Sequence, residues 1–176
     1  MGRKLNLGAA KDIRSFADGW LNADIVRGPG IDVSFDANKV WPFPDEFFEE
    51  IYASHILEHL WNLNLVMKEA HRVLKPNGIF EIKVPFGGVS WSNPDPNHVR
   101  WFVPESLAYY LQGNGVNTTL EADWETPLFK LESCEVIRIF WQRERLGKLL
   151  GSWIEKRYTR PRVGIPVEIH FILRRP

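Results

Sequence analysis

Residues 50–85 read EIYASHILEHLWNLNLVMKEAHRVLKPNGIFEIKVP, and this stretch decides the fold. It opens with a short apolar strand over residues 50–54. Apolar residues then recur three or four positions apart from residue 57 to residue 74, which predicts an amphipathic helix. The KPNG segment at 75–78 places proline and glycine where helices end. Residues 79–85 alternate as another strand, so the stretch predicts a strand–helix–strand unit of a largely parallel sheet.

Strands and helices continue to alternate on both sides of this unit. The other predicted strands cover 4–7, 20–25, 31–33, 129–141 and 167–173, and the other predicted helices cover 10–18 (with Asp12 as a possible N-cap), 104–112 and 142–158. This order predicts an α/β fold, a Rossmann-like doubly wound sheet of about seven strands, mostly parallel with an antiparallel last strand.

Length and composition restrict the class of protein. The chain has 176 residues, of which 44% are hydrophobic and 25% are charged. These values are typical of one globular domain, here 1–176. A single cysteine, Cys134, excludes an intramolecular disulfide framework and a Cys-rich zinc site. The sequence contains neither a signal-peptide core nor a long apolar run, so we expect a cytoplasmic protein.

Charge is distributed unevenly although the net charge is zero. Residues 1–137 carry a net charge of −7 and residues 138–176 a net charge of +7. The predicted helix at 142–158 has an apolar stripe opposite a basic face. Such a helix usually packs on its own domain, but it is also compatible with a nucleic acid, a membrane surface or a partner protein. We favour packing on the domain.

Several residues suited to ligand binding follow the predicted strands. Ligands of open α/β sheets bind beyond the carboxyl ends of the strands. Gly8 follows the first strand, and a glycine there lets the backbone pass close to a ligand. Asp24 ends the second strand, where a carboxylate can accept from both hydroxyls of a ribose. Asp36 follows the third strand, and Ser54 and His55 follow the fourth.

The first loop argues against two common cofactor classes. A dinucleotide fingerprint requires G-x-G-x-x-G, because its glycines bring backbone N–H groups against a pyrophosphate. Residues 8–13 read GAAKDI and contain one glycine, and the chain has no Walker A motif. An adenosine cofactor without phosphates tolerates this loop better, and S-adenosylmethionine (SAM) fits that description.

Five segments together resemble the class I SAM-dependent methyltransferases, specifically the small type 11 methyltransferase domain. The resemblance covers about residues 4–110 and includes the first predicted strand and Gly8. The remaining four segments are GWLNAD at 19–24, WPFPD at 41–45, IYASHILEHL at 51–60 and EAHRVLKPNG at 69–78. Each segment is weak alone, but their order and spacing are specific.

The resemblance implies a role for individual residues of the cofactor site. Gly8 would line the methionine part of SAM, Asp24 would bind the ribose, and Asp36 with Ala37 would contact the adenine edge. The complete implied set is Asn6, Gly8, Ala9, Asp24, Asp36, Ala37 and Ser54. Ala10 departs from the family, which commonly has a second glycine there. The family's helical segment before the first strand is also missing, so we expect a site that is open or completed by a partner subunit, with a homodimer as one form.

The segment NPDPNHVRWF at 93–102 is expected on the acceptor side. It resembles an Asp-Pro-x-His-x-Arg segment of type 11 relatives. His98 is our first candidate for a general base and His55 the second, while Arg100 and Trp101 are candidates for acceptor binding. The alternative is that His98 and Arg100 only hold the loop in place. Glu58 and His71 are expected to be solvated or structural, His59 is expected to pack on a helix, and no metal ligand is expected.

The resulting expectation is a methyltransferase that moves the SAM methyl group to an oxygen or nitrogen of a small-molecule or glycan-like acceptor. Such a displacement requires near-attack geometry and a base within reach of the acceptor proton. Two alternatives stay open. One is a SAM-binding module without catalysis, and the other is a nucleic-acid (RNA) methyltransferase that uses the basic C-terminus.

Overall fold

The computed structural model describes residues 3–87, 95–112, 128–139 and 165–176. They form one seven-stranded sheet in the order β3-β2-β1-β4-β5-β7-β6. β1 to β5 are parallel to one another, and β7 runs antiparallel to both β5 and β6. The strands are β1 (Lys4–Leu7), β2 (Trp20–Asp24), β3 (Val33–Ser34), β4 (Phe48–Ser54), β5 (Leu74–Pro85), β6 (Lys130–Ile139) and β7 (Ile165–Arg174). The predicted Rossmann-like fold is confirmed.

The helix of the central unit is shorter than predicted. Helix α1 spans Leu63–Val73, whereas the sequence predicts a helix from residue 57. Leu57–His59 form a separate 3₁₀ turn, and Leu60 is extended with φ −88° and ψ 123°. Asn62 then starts α1 as its N-cap, since its side chain accepts from the Leu65 N–H at 3.2 Å. An amide cap at this position fixes a new helix start.

Two other predicted helices are reduced to single 3₁₀ turns. In the predicted helix 10–18 only Phe16–Asp18 are helical, and Ser15 rather than Asp12 caps them. In the predicted helix 104–112 only Ala108–Tyr110 are helical. The chain leaves helical geometry there because Leu111 forms a bridge with Phe129. The predicted helix at 142–158 lies outside the described residues.

Strand β5 begins five residues earlier than predicted, at Leu74 rather than at Ile79. Leu74 pairs with Phe48 and Ile79 with Glu50, so the register shifts across the KPNG segment. Asn77 within that segment adopts φ 65°. The predicted helix stop is therefore an irregularity inside a strand.

One ion-pair cluster fastens the segment before β4 onto α1. Arg72 of the helix lies 2.6 Å from Glu69 and 2.7 Å from Asp45, and it donates to the Phe43 carbonyl. Glu69 also accepts from the buried Trp41 N–H at 2.7 Å. Two of the five segments that carry the family resemblance thus meet in the fold and support each other.

The core fills the space between the sheet and the elements that cover it. Apolar side chains of β1, β4 and β5 are fully buried, as is the inward face of α1. The carboxyl ends of β1, β2 and β4 meet at one edge of the sheet, where Gly8, Asp24 and His55 follow them. In the described part of the chain, no helix has the length and apolar character needed to cross a membrane.

Candidate active site

A cleft of about 180 Å³ opens at the carboxyl edge of β1 and β2. Its walls come from the loops that follow β1, β2, β3 and β4, the position where open α/β sheets bind ligands. It is lined by Leu7, Gly8, Asp24, Ile25, Phe35, Asp36, Ala37, Asn38, Ile56, His59 and Leu60. Four of the seven predicted cofactor residues are among them: Gly8, Asp24, Asp36 and Ala37.

Gly8 forms a tight turn beneath this cleft. Its φ is +71°, a conformation that favours glycine. The N–H groups of Gly8 and Ala9 both donate to the Ala23 carbonyl at 2.9 Å, which folds the loop back onto β2. A Cβ on Gly8 would lie 2.8 Å from the Cβ of Ile56. The glycine therefore allows both the turn and the close approach of Ile56.

Asp24 stands at the end of β2 with its carboxylate held by two backbone donors. Ala10 N–H donates to Oδ2 and Val26 N–H donates to Oδ1, each at 2.9 Å. A carboxylate has about four lone-pair sites, so both oxygens can still accept from a ligand. Ala10 has φ 45° and is exposed, and it is not among the residues that line the cleft. Its methyl group therefore leaves the cleft open.

Asp36 lies on the opposite wall and closes its own turn. Its Oδ1 accepts from the backbone N–H and the side-chain amide of Asn38, at 2.9 and 3.1 Å. The backbone hydrogen bond from Asn38 lowers the pKa of the Asp36 carboxyl. Asp36 is consequently an acceptor at neutral pH, and its Oδ2 lies 3.7 Å from Lys39, its ion-pair partner among the described residues.

The other three predicted cofactor residues lie outside the lining of the cleft. Asn6 is buried in β1 and donates to the Asp12 carbonyl at 2.6 Å and to the Asn22 side chain at 3.0 Å. Ala9 is buried, with 1% of its surface exposed. Ser54 is half-buried at the end of β4. Asn6 thus organises the loop that follows β1, and its contact with a cofactor stays a prediction.

His55 is held between two carboxylates. It adopts φ 52°, its Nε2 lies 2.9 Å from Glu168 and its Nδ1 lies 3.4 Å from Glu58. Hydrogen bonding to Glu58 raises the pKa of His55, burial opposes that rise, and Glu168 adds to it. This setting favours the imidazolium, which is a poor base until it loses its proton.

His98 is brought to the same edge of the sheet. Its ring packs edge-to-face on that of His59, with centroids 4.7 Å apart, and its Nε2 lies 4.0 Å from Glu58 Oε1. Only 10% of the side chain is exposed. The structure therefore places both predicted bases, His98 and His55, beside one buried carboxylate.

The loop that carries His98 is tied to the segment after β4. The Val99 N–H donates to the Glu58 carbonyl at 2.9 Å. Arg100 Nη2 donates to the carbonyls of Leu60 and Trp61 at 2.6 and 2.9 Å. These bonds are what the bracing alternative predicts for Arg100, whereas its role in acceptor binding stays a prediction. Trp101 is 71% exposed beside it.

Glu58 and His59 were not among the predicted site residues. Glu58 is fully buried, which is compatible with the structural one of its two expected roles, and His59, expected as a helix-packing histidine, lines the cleft. A helix beginning at residue 57 would present Glu58 to solvent, whereas the 3₁₀ turn at Leu57–His59 buries it. A sequence signal that could have indicated the break is the asparagine at 62, a preferred N-cap.

Comparison with known proteins matches part of the chain to one domain family. Residues 17–82 match the model of a methyltransferase domain family. The chain is 31% identical to a sterol 4-C-methyltransferase of Caenorhabditis elegans, over 58% of this chain and 31% of that protein. The chain spans less than a third of the length of the curated relatives it matches.

Solved structures share the fold. A SAM-dependent methyltransferase from Archaeoglobus fulgidus superposes with a TM-score of 0.65 at 18% identity, covering 99% of this chain and 86% of that one. A 1,6-didemethyltoxoflavin N1-methyltransferase from Burkholderia thailandensis was solved with bound 1,6-didemethyltoxoflavin and S-adenosylhomocysteine. It superposes with a TM-score of 0.58 at 15% identity, covering 98% of this chain and 70% of that one.

The fold and the cleft define a Rossmann-like domain with a cleft at the switch point beside β1. Residues 17–82 match the methyltransferase domain family, and the solved SAM-dependent methyltransferases share the fold, as the sequence segments predict. SAM is the cofactor that the sequence segments imply, and the residues present fit it. Asp24 keeps acceptor capacity for two hydroxyls, and Ile25, Phe35 and Leu60 offer apolar walls for a flat base.

Proposed function

We propose that this chain transfers a methyl group from SAM to an oxygen or nitrogen of a small-molecule or glycan-like acceptor. One observation carries the proposal: the cofactor cleft leads directly into a group of histidines. His59 lines the cleft and packs against His98, which lies near Glu58. A cofactor bound in the cleft would thus lie beside the candidate proton acceptors at one edge of the sheet.

Bound SAM supplies an electrophilic methyl group on its sulfonium. The chain's task is to position the two reactants, because a direct displacement depends on alignment. Asp24 would accept from the ribose hydroxyls, and Asp36 would accept from the exocyclic amine of adenine. The tight turn at Gly8 and the side chain of Ile56 would fix the depth at which the cofactor lies.

An oxygen or nitrogen acceptor loses a proton during or after attack, and a nearby imidazole can take it. His98 suits this role better than His55, whose proton is stabilised by Glu58 and Glu168. The sterol relatives are named as C-methyltransferases, so a carbon acceptor is a competing possibility. The acceptor screen described below distinguishes a sterol acceptor from a sugar or small metabolite.

Two exposed tryptophans support an acceptor with a broad, partly apolar surface. Trp61 is 77% exposed and Trp101 is 71% exposed. Arg100 links the two tryptophans, because it donates to the Trp61 carbonyl and directly precedes Trp101 in the chain. Exposed indoles offer flat apolar faces to a ligand. Sugar rings stack well on them, which favours a glycan-like acceptor.

The test of this proposal begins with cofactor binding. S-adenosylhomocysteine should bind saturably by calorimetry and raise the melting temperature, because a ligand of the folded state stabilises it. Asp24→Ala should weaken binding strongly, since two ribose hydroxyls lose their acceptor. The matched control is Asp18→Ala, which removes an exposed carboxylate from the 3₁₀ turn before β2. Equal affinity in the two variants would contradict the assignment of Asp24.

Transfer itself is tested with SAM that carries a labelled methyl group. The wild-type chain is incubated with separate pools of sugars, small metabolites, sterols and RNA. Label in a sugar or metabolite pool supports the proposal. Label confined to RNA or sterols overturns the acceptor class. Tight cofactor binding with no transfer to any pool would indicate a SAM-binding module.

A further inference from the structure

The most unusual group in the described structure is the Glu58 carboxylate. None of its surface is exposed, and neither oxygen receives a well-aligned hydrogen bond from the described residues, although His55 Nδ1 lies 3.4 Å from Oε1. Burying a carboxylate without well-placed partners is unfavourable, and such groups are normally paired, hydrogen-bonded or bound to a metal ion. Glu58 is therefore suited to a cationic partner that is better placed than His55.

Two histidines complete a set of metal-ligating groups around this carboxylate. One ligand atom each from Glu58, His59 and His98 lie within 4.8 Å of one another. Metal–nitrogen and metal–oxygen bonds of about 2.0–2.2 Å at tetrahedral angles place ligand atoms about 3.3–3.6 Å apart. A pair of ligand atoms at the full 4.8 Å would therefore have to close by about 1.2–1.5 Å to share one ion, which rotation of the side chains can supply.

The surrounding backbone orients these ligands. His59 Nδ1 lies 3.3 Å from the Asn97 carbonyl, which can only accept, so donation from Nδ1 leaves the lone pair on Nε2. Histidine ligands of metals characteristically make such a second hydrogen bond. Asp95 in turn accepts from the Asn97 N–H at 2.8 Å, and Val99 is bonded to the Glu58 carbonyl. The loop is thus built to present His98 to Glu58.

We propose that Glu58, His59 and His98 bind one divalent transition-metal ion, such as Zn²⁺, Mn²⁺ or Co²⁺, beside the cofactor cleft. A carboxylate with two imidazoles suits these ions and leaves coordination positions open. Because His59 also lines the cleft, an open position would face the acceptor side. This last step rests on the proposed function, and in it the ion replaces His98 as the group that assists proton loss: an acceptor hydroxyl bound to the ion would release its proton to solvent more easily.

His55 is the competing partner of Glu58. Its Nδ1 lies 3.4 Å from Oε1 while its Nε2 is 2.9 Å from Glu168, so a protonated His55 could neutralise the carboxylate without any metal. The two explanations differ in what they predict for metal binding. A His55–Glu58 ion pair predicts no saturable site, whereas the metal site predicts one equivalent per chain.

The experiment titrates chelator-stripped wild-type chain with Zn²⁺ by calorimetry and with Co²⁺ by visible absorption. We expect one saturable equivalent and a Co²⁺ spectrum of nitrogen and oxygen ligation. Glu58→Gln and His98→Gln should each weaken binding at least about 10-fold. His170→Gln is the matched control, since His170 pairs with Glu81 at 3.0 Å and takes no part in the cluster. It should bind metal like the wild type.

Folding of each variant is checked by its affinity for S-adenosylhomocysteine. If Glu58→Gln fails this check, His98→Gln and the wild-type titration still decide the question. Wild-type chain without a saturable equivalent, or Glu58→Gln and His98→Gln with unchanged metal affinity, would overturn the proposal. Its failure is distinguishable from failure of the methyltransferase proposal, because cofactor binding and methyl transfer are measured separately.

Discussion

Replacing Arg100 with methionine should destabilise the chain by about 3 kcal/mol. Methionine keeps much of the aliphatic volume but donates no hydrogen bond to the carbonyls of Leu60 and Trp61. Hydrogen bonds from a charged donor contribute about 1.5–3 kcal/mol each. Part of this loss is offset, because methionine also removes Arg100 Nε, which is buried without a partner among the described residues. Burying such an unsatisfied donor costs the wild-type chain about 1–3 kcal/mol.

The assay is urea and thermal unfolding of wild type, Arg100→Met and Arg100→Lys. A loss of about 3 kcal/mol corresponds to a fall in melting temperature of about 6–12 °C for a chain of this size. Arg100→Lys should retain part of the stability that Arg100→Met loses, because the lysine ammonium can still donate to one of the two carbonyls. Arg3→Met is the control: Arg3 pairs with Glu49 at the surface, and exposed pairs contribute about 0–1 kcal/mol.

The same variants distinguish bracing from acceptor binding. If Arg100 braces the loop, activity should fall with the folded fraction and the KM for the acceptor should stay near the wild-type value. Unchanged unfolding curves together with a raised acceptor KM would refute the bracing argument and support Arg100 as an acceptor-binding residue.

Two further variants test the loop before β2 and the cluster on α1. Gly8→Ala should lower the free energy of unfolding in urea by about 2–4 kcal/mol, because alanine is forced to φ +71° and its Cβ against Ile56. The control is Gly28→Ala, whose Cβ meets nothing within 4 Å. Equal stability of the two variants would contradict this prediction. Arg72 lowers the pKa of Glu69, so Glu69 stabilises the fold above its unfolded pKa of 4.5 and this stability is lost as pH falls through the folded value. Glu69→Gln should therefore flatten the loss of stability below pH 4.5, and an unaltered slope would argue against the effect.

The sequence predicts the sheet well because its signals are local. Alternating apolar residues in β1 and β5 and the glycine after β1 are each read from a few consecutive positions. Asp24 follows from the same information, since the end of a parallel strand defines the edge at which a ligand binds. These features require no knowledge of which distant residues meet.

The break in the helix between residues 57 and 63 was not predicted, because the same spacing of apolar residues fits both a continuous helix and an interrupted one. Leu57, Leu60 and Leu63 are all buried and recur every three residues. That spacing fits an α-helix, and it fits equally a 3₁₀ turn, an extended residue and a new helix start. The difference is decided by the cap at Asn62 and by the Arg100 bonds to the carbonyls of Leu60 and Trp61, which come from a loop 40 residues away.

This local error concealed the group of side chains that we propose for the acceptor side. In a continuous helix Glu58 would project to solvent and would have no reason to meet His98. In the 3₁₀ turn its side chain points inward instead, and the Val99 N–H bond to its own carbonyl brings the His98 loop over it. The groups to which we assign the chemistry therefore depend on a tertiary contact between residues 58–61 and 97–100. That contact is also what Arg100 maintains, so the stability of this loop and the geometry around Glu58 should change together.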